Sequence, residues 1–288
     1  MHIEDFIDYV KSEKRYSVYT VVSYITDLNQ FFCFLHKEYQ ISDPKIIKFK
    51  IIRNWITSML DSNLKPSSVK RKISTLKTYF KFLLINKYID LNPTLKIVSP
   101  KSSKKLPVFV EKDKMDNLFD SNFFEDHFEG KRNRLIIELF YLTGIRLSEL
   151  INIQLLDVDF TNSQIKVLGK RNKERMIPIT HQTLKIISNF ISCYQIKKYL
   201  FSEENGKRLY PKKVYRIVNK YLEKISSLQK KSPHILRHTF ATHMLNNGAD
   251  INAIKEILGH ANLSATQIYT HNSIKKLKNV HKQAHPKA

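Results

Sequence analysis

Apolar residues recur at intervals of three or four through the first hundred residues, the spacing that places one apolar stripe along a helix. The longest such segment is 17–39, and shorter ones at 3–10 and 51–60 repeat the pattern. A fourth helix is predicted from residue 65, where Lys-Pro-Ser-Ser is typical of a helix start. The stripe of the longest segment contains Val18, Val21, Val22, Ile25, Leu28, Phe32 and Leu35. These segments predict a four-helix bundle over residues 1–98.

The periodicity disappears between residues 92 and 107. Pro93, Pro100 and Pro107 stand there, around a run of serines and lysines. Proline and polar residues without apolar spacing are typical of a linker. We therefore expect a basic linker at 99–108 and a second domain at 109–288.

The second domain is predicted to be helical with one β interruption. Two short apolar runs, 165–168 and 175–179, flank a charged loop, which is the pattern of a β-hairpin. Gly144 is expected to end a helix, because glycine readily adopts the left-handed conformation of a C-terminal cap. The helices are predicted at 131–142, from about 148, and at 180–194, 211–225, 233–246, 250–258 and 263–269. The expected fold class is mainly α with a small β-hairpin or sheet.

The composition adds a strong positive charge. The 288 residues include 49 Lys and Arg against 26 Asp and Glu, a net charge of +23. Both predicted domains carry part of the excess. A compact protein of this charge favours a polyanionic partner, most commonly nucleic acid. The 42% hydrophobic content excludes a disordered protein.

The sequence also bears on the compartment. Cys33 and Cys193 are too few for a disulfide framework or a cysteine zinc site. Glu4 and Asp5 stand where a signal peptide would be basic, and no stretch approaches the ~18 apolar residues of a membrane span. We therefore expect a soluble, cytoplasmic protein with no membrane partner.

Two groups of lysines are candidates for DNA contact. One group shares a face of the fourth helix, and the other lies in the linker, where it could follow a phosphate backbone. A solvated helix surface is the alternative explanation for the first group. The candidates are Lys70, Lys77 and Lys81 on the helix and Lys101, Lys104 and Lys105 in the linker.

Six polar residues of the second domain lie where a helix or the hairpin begins or ends, so their side chains can converge on one ligand. They are Arg146, Lys170, His234, Arg237, His260 and Tyr269. These residue types supply what in-line attack on a phosphodiester needs without a metal. Guanidinium groups hold the non-bridging oxygens, a phenol is the nucleophile, and His and Lys carry protons. The sequence therefore indicates neither a metal nor another cofactor.

A zinc site is the competing hypothesis for the histidines. His234, His238 and His243 fall on one predicted helix. A metalloprotease helix would have Glu where Ile235 stands, and no nearby Cys or carboxylate completes a ligand set. The sequence therefore favours proton transfer over metal binding.

The segments that carry these residues resemble the motifs of the tyrosine recombinase (phage integrase) family, most closely its bacterial Xer branch. They match the first arginine motif, the lysine hairpin, the His-x-x-Arg motif and the final histidine and tyrosine, in that order. The four segments are 143–150, 169–175, 234–242 and 258–269. Two departures are Arg171, where many relatives have Gly, and Lys287, where they often have Arg. Arg171 is thus a further candidate for a phosphate contact, the alternative being a change in the flexibility of the hairpin.

The resemblance implies a fold. Residues 1–98 would be a SAM-like helical core-binding domain, and residues 109–288 an α+β catalytic domain that ends in an inter-subunit tail. Together they would form a C-shaped clamp on DNA.

The resemblance also implies residue roles. Tyr269 would attack the scissile phosphate and become linked to the DNA 3′ end. Arg146 and Arg237 would hold the phosphate, and Lys170 would protonate the leaving 5′ oxygen. His234 would exchange the proton of the tyrosine.

In the same family, the counterpart of His260 hydrogen-bonds the phosphate in the transition state. The reaction implied is site-specific recombination through a 3′-phosphotyrosine and a Holliday junction, serving chromosome or plasmid dimer resolution in chromosome partition and cell division. The implied partners are double-stranded DNA with a specific site and other protomers in a tetrameric synapse. A second Xer-type recombinase and a DNA translocase are further partners that the resemblance allows.

Several alternatives stay open at the level of sequence. A mobile-element integrase or an invertase would use the same chemistry, as would a relaxing topoisomerase. A non-enzymatic DNA-binding protein would use the same basic surfaces. The complete set of six site residues favours an enzyme, and the target site sequence is not encoded in any motif.

Overall fold

The computed structural model describes residues 1–100, 108–120, 122–169, 173–259 and 283–284. The chain divides into two compact units, Met1–Lys105 and Leu106–Ala288. None of the helices in the described ranges combines the length and apolar character needed to cross a membrane.

The first unit is a bundle of four α-helices. They are α1 (Ile3–Asp8), α2 (Val18–Tyr39), α3 (Phe49–Asp61) and α4 (Pro66–Ile85). A π-helical turn, Tyr9–Glu13, continues α1, and a 3₁₀ turn, Pro44–Ile46, precedes α3. The core between the helices is aromatic, with Phe6, Phe31, Phe80 and Trp55 buried. The predicted bundle is confirmed.

One part of the predicted stripe of α2 is wrong. Val18 and Val22 are 75% and 56% exposed, whereas Val21, Leu28 and Leu35 are buried. The buried face also contains Asp27, which pairs with cations of α4. Apolar periodicity is judged from apolar residues alone, so the charged Asp27 was not counted on the core face. The predicted stripe therefore included Val18 and Val22, which lie on the exposed side.

The second unit contains the sheet and the remaining helices of the described residues. The helices are α5 (Lys112–Asp120), α6 (Phe128–Thr143), α7 (Leu147–Leu150), α8 (His181–Tyr194), α9 (Pro211–Ile225), α10 (Pro233–Asn246) and α11 (Ile251–Leu258). The strands are β1 (Val158–Asp159), β2 (Gln164–Leu168) and β3 (Glu174–Pro178), antiparallel in the order β1-β2-β3. The predicted small sheet is confirmed, with one short strand more than the sequence indicated.

The buried face of the sheet is set by alternation along the strands. Ile165 and Val167 of β2 are buried, and they pair with Ile177 and Arg175 of β3. Because side chains one position apart point to opposite faces, Arg175 lies on the same face as Ile177. An arginine therefore enters the core side of the sheet.

The predicted cap of α6 is confirmed. Gly144 has φ 58° and its N–H donates to the carbonyl of Phe140. A Cβ at this position would lie 2.6 Å from the side chains of both Leu258 and Phe240. Glycine is thus needed for the backbone conformation and for the close approach of α10 and α11 to the end of α6.

Candidate active site

The C-terminal end of α11 is surrounded by arginines. Helix C-termini leave carbonyl oxygens without intrahelical partners and carry partial negative charge, so cations are stabilised there. Arg175 Nε donates to the carbonyl of Ile257 at 3.0 Å, and Arg237 Nη2 to that of Leu258 at 2.7 Å. Arg146 Nη2 donates to the carbonyl of Gly259 at 2.7 Å. Three consecutive carbonyls therefore bring three guanidinium groups together.

Two of these arginines are also held by the end of α6. Arg237 Nη1 donates to the carbonyl of Gly144 at 2.6 Å. Arg146 lies two residues beyond this cap and is the residue that precedes α7. The structure thus brings the two predicted phosphate-binding arginines, one from α10 and one from the α6–α7 turn, to a single place.

Glu149 is the carboxylate at the centre of this cluster. Its Oε1 accepts from Arg146 Nη1 and Arg175 Nη1, both at 2.7 Å. Its Oε2 accepts from Arg175 Nη2 at 2.8 Å and from the backbone N–H of Arg146 at 2.9 Å. Arg146 and Glu149 thus form an ion pair, to which Arg175 adds a bidentate pair with the same carboxylate.

Glu149 is ionised in this position. Its burial would raise the pKa of the carboxyl, but the hydrogen bonds and charges of Arg175 and Arg146 oppose it and lower the pKa to about 2. A fixed carboxylate therefore orients both arginines at every working pH.

Arg237 is almost fully buried and remains a cation. Burial and the charge of nearby Arg146 lower the pKa of Arg237 to about 10. With Arg175, three guanidinium groups face one carboxylate, so the cluster has an excess of positive charge. Such a cluster is suited to an anion, and guanidinium groups match the oxygens of a phosphate.

His234 lies in the first turn of α10, three residues before Arg237. Its side chain is exposed. Partial loss of hydration, and then the charges of Arg237, His238 and Arg146, lower the pKa of His234 below its usual value. The ring is thus neutral near pH 7 and able to accept a proton.

His243, the third histidine of the zinc hypothesis, has another partner. It is buried, and its Nδ1 lies 3.1 Å from the hydroxyl of Tyr141. Phe109 packs edge-on against its ring. This histidine is part of the core beneath α10.

Several predicted site residues fall outside the described residues. They are Lys170, Arg171, His260 and Tyr269 of the second unit and Lys101, Lys104 and Lys105 before it. Their roles remain predictions.

The basic face of α4 belongs to the first unit. Lys70, Lys77 and Lys81 are all exposed, as the shared face requires. Lys77 Nζ also donates to the carbonyl of Ile97 at 2.9 Å, which secures the chain that follows α4. A phosphate contact by these lysines remains a prediction.

The sequence reasoning missed two charged clusters. Arg175 was counted only as part of a strand, although its alternation with Ile177 and Ile179 places an arginine on an apolar face, where it needs a partner. In the first unit, buried Asp27 accepts from Lys72 Nζ at 2.8 Å and from Thr75 Oγ1 at 2.9 Å, and Arg71 completes the cluster. Both clusters join elements distant in sequence, so no local pattern gives the partner.

The comparisons with known proteins cover nearly the whole chain. The model of the phage integrase family matches residues 109–276, and the model of the phage integrase N-terminal SAM-like domain matches residues 3–87. The chain is 39% identical over 290 residues to the tyrosine recombinase XerC of Staphylococcus epidermidis, with 99% of this chain and 97% of that protein covered. It is 34% identical over 315 residues to XerC of Chlorobaculum tepidum, with 99% and 94% covered.

Solved structures share the fold. The XerH site-specific recombinase bound to palindromic difH substrate, in a post-cleavage complex, has a TM-score of 0.75 at 21% identity, covering 96% of this chain and 83% of that one. The Tn1549 transposon integrase in complex with circular intermediate DNA has a TM-score of 0.70 at 20% identity, covering 95% and 97%. The family models and the XerC relatives show that the chain belongs to the phage integrase family and is a site-specific tyrosine recombinase. Such an enzyme cleaves and rejoins DNA through a covalent tyrosine intermediate without a metal ion.

Proposed function

We propose that this chain is an Xer-type recombinase that resolves chromosome or plasmid dimers at a specific DNA site. The support is the identity of 34–39% to XerC proteins along almost the whole chain. The proposed partners are double-stranded DNA, other protomers in a tetrameric synapse, a second Xer-type recombinase and a DNA translocase. The proposed domains are 1–98 and 109–288, joined by a basic linker at 99–108.

The observation that carries the mechanism is the convergence of Arg146 and Arg237 on the end of α11. Each guanidinium keeps N–H groups beyond those given to the protein, and these would hold the non-bridging oxygens of the scissile phosphate. As attack proceeds, charge builds on those oxygens, so fixed donors stabilise the transition state more than the ground state.

The remaining steps involve proton transfer. The hydroxyl oxygen of Tyr269 attacks phosphorus, and its proton passes to neutral His234. The bond between phosphorus and the 5′ oxygen breaks, Lys170 protonates the leaving oxygen, and His260 donates to the phosphate. Because the phosphotyrosine conserves the energy of the phosphodiester, a 5′ hydroxyl from a partner duplex can reseal the strand by the reverse steps.

The nucleophile is tested by Tyr269→Phe on a nicked duplex that carries the recombination site. The variant should form no covalent adduct, whereas its DNA affinity should stay within a few fold, because one hydroxyl is lost and no cation is removed. Tyr215→Phe, at an exposed tyrosine of the same unit, is the matched control and should form adduct normally. A covalent adduct in Tyr269→Phe protein would remove Tyr269 from the mechanism.

The biological role is tested by footprinting on the host chromosome. If the protein resolves dimers, footprinting should find one chromosomal site. Deletion of the gene should then leave chromosome dimers unresolved. Sites at the two ends of a mobile element, or flanking an invertible segment, would instead support the integrase or invertase alternative.

A further inference from the structure

Arg175 contacts three parts of the catalytic unit at once. Two of its nitrogens donate to the two carboxylate oxygens of Glu149, at 2.7 and 2.8 Å. Its Nε donates to the carbonyl of Ile257 at 3.0 Å. Because Arg175 is on β3, one side chain joins the sheet, the start of α7 and the last turn of α11.

The backbone of α11 is fitted to this side chain. Gly259, the cap of α11, has φ 64°, and a Cβ there would lie 3.1–3.2 Å from Nε, Cδ and Cζ of Arg175. The carbonyl of the same glycine accepts from Arg146. The position of Arg175 and the position of Arg146 are therefore set by the same peptide segment.

Arg175 is less accessible to a substrate oxygen than Arg146; Arg237 is as buried as Arg175, and its described hydrogen bonds to the protein come from Nη1 and Nη2. The side chain of Arg175 is 6% exposed, against 21% for that of Arg146. All three nitrogens of Arg175 already donate to protein oxygens. A role through other residues fits this geometry better than direct contact with a phosphate.

We propose that Arg175 is a positioning residue of the phosphate site, which fixes Glu149 and the end of α11 so that Arg146 and Arg237 address one phosphate. The inference rests on the proposed function, since it assumes that the two arginines bind the scissile phosphate. Arg175 makes no contact with the reacting atoms in this scheme.

The charged groups that face Glu149 determine how the loss of Arg175 would change the pKa of Glu149. Arg146 and Arg175 contact the carboxylate directly, and Arg237 of α10 interacts with it through charge. The cavity that Glu149 borders is also lined by Asp157, Lys166 and Glu174. Without Arg175, burial of Glu149 is opposed mainly by Arg146, so the pKa of Glu149 should rise and the carboxyl should become protonated in mildly acidic solution.

The test is the rate of adduct formation by full-length Arg175→Gln protein in single-turnover reactions between pH 5 and 8. At pH 7.5 the rate should fall roughly 10- to 100-fold, the range seen when an orienting partner is removed from a metal ligand. DNA affinity should change by only a few fold. As the pH falls, the variant should lose further activity that the wild type keeps, because protonated Glu149 no longer holds Arg146.

His234 also titrates in acid, in the wild type and the variant alike, so its contribution must be separated. The double variant Arg175→Gln/Glu149→Gln retains His234 and lacks the buried carboxyl. Its rate should follow the wild-type dependence on pH, even if the absolute rate stays low. An acid loss that persists in the double variant would overturn the assignment to Glu149.

Arg132→Gln is the matched control for a merely structural arginine. Arg132 is fully buried and pairs with Glu129 and Glu203, outside the cluster around α11. Its loss should lower the unfolding temperature without altering the dependence of the adduct rate on pH. Arg175→Lys keeps the positive charge but loses the bidentate geometry, so its adduct formation should be slow without the additional loss of rate at low pH. This variant replaces Arg175→Gln in the test if the Gln variant does not fold.

The outcomes separate the inference from the function beneath it. If the wild type forms no tyrosine adduct, the proposed function fails. If the wild type is active and Arg175→Gln or Arg175→Lys matches it in rate and in pH dependence, the positioning role alone is wrong.

Discussion

The arrangement of single residues around α11 shows how a helix terminus can organise a basic site. Like charges would normally separate, yet Arg146, Arg175 and Arg237 are each fixed by a different carbonyl of residues 257–259. Glu149 neutralises only part of their charge. The backbone of α11 therefore provides the stabilisation that keeps the site open to an anion.

Gly259 allows a prediction at this scale, because it caps α11 and lies against Arg175. Gly259→Ala should lower stability by about 1–2 kcal/mol through its left-handed backbone conformation, and it should also slow adduct formation by displacing Arg175. Gly248→Ala is the control, since Gly248 has φ 82° but open space where its Cβ would lie. Thermal unfolding and single-turnover cleavage of both variants provide the test. Equal cleavage rates in the two would show that the contact with Arg175 does not matter.

Much of the site could be predicted at the residue scale, but the reason for its geometry could not. Arg146, His234 and Arg237 stand in short motifs beside helix ends, so the sequence indicated them directly. The contact of Arg237 with the carbonyl of Leu258 spans 21 positions of sequence, and that of Arg146 with the carbonyl of Gly259 spans 113. No local spacing contains that information, and the same holds for the pairing of Arg175 with Glu149.

At the scale of elements, the long helices with a clear apolar period could be predicted from the sequence, whereas the short elements could not. The bounds of α4, α9 and α10 agree with the predicted helices at their starts because Pro66, Pro211 and Pro233 stand in their first turns. Helix α5 was not among the predicted helices; in its nine residues, charged positions alternate with a few apolar ones. Strand β1 has two residues and is too short to have a pattern of its own.

Helix α4 has two charged faces with different roles. Lys72 lies inward and pairs with Asp27 of α2, which anchors α4 in the bundle. Lys70, Lys77 and Lys81 lie outward. Because the inward pair fixes the rotation of the helix, the three outward lysines are presented together to the same side.

We predict that the triple variant Lys70→Ala/Lys77→Ala/Lys81→Ala weakens DNA binding and lowers the slope of log affinity against log salt by roughly two to three units, at about 0.9 per phosphate contact. Full-length protein and a duplex with the recombination site are used. Lys37→Ala, at an exposed lysine of α2 beside Glu38, is the control and should leave the slope unchanged. An unchanged slope in the triple variant would mean that this face is simply solvated.

At the scale of the whole molecule, the C-terminal segment is predicted to link the catalytic unit to assembly. The family resemblance predicts that residues 273–288 dock on a neighbouring protomer, and most of them lie outside the described residues. Ala284 is described: it is buried against Phe240 and Met244, and its carbonyl accepts from Asn247 Nδ2 at 2.6 Å. Within the single chain described, Ala284 therefore contacts α10 and Asn247, and we predict that the same surface accepts the tail of a neighbouring protomer.

Because that acceptor surface belongs to the helix that carries His234 and Arg237, docking of a neighbour's tail would tie each subunit's active site to assembly. We predict that deleting residues 273–288 leaves single-site DNA binding nearly intact but reduces cooperative filling of paired half-sites and the yield of recombinant product. Asn247→Ala, which removes the donor to Ala284, should have a weaker defect of the same kind.

The decisive experiment mixes the two proteins, since the Asn247→Ala chain supplies a tail and the truncated chain supplies an intact acceptor. Docking between protomers then restores part of the cooperativity in the mixture. Docking within one chain restores none, because neither protein has both parts, and a mixture no better than its components would contradict the intersubunit role.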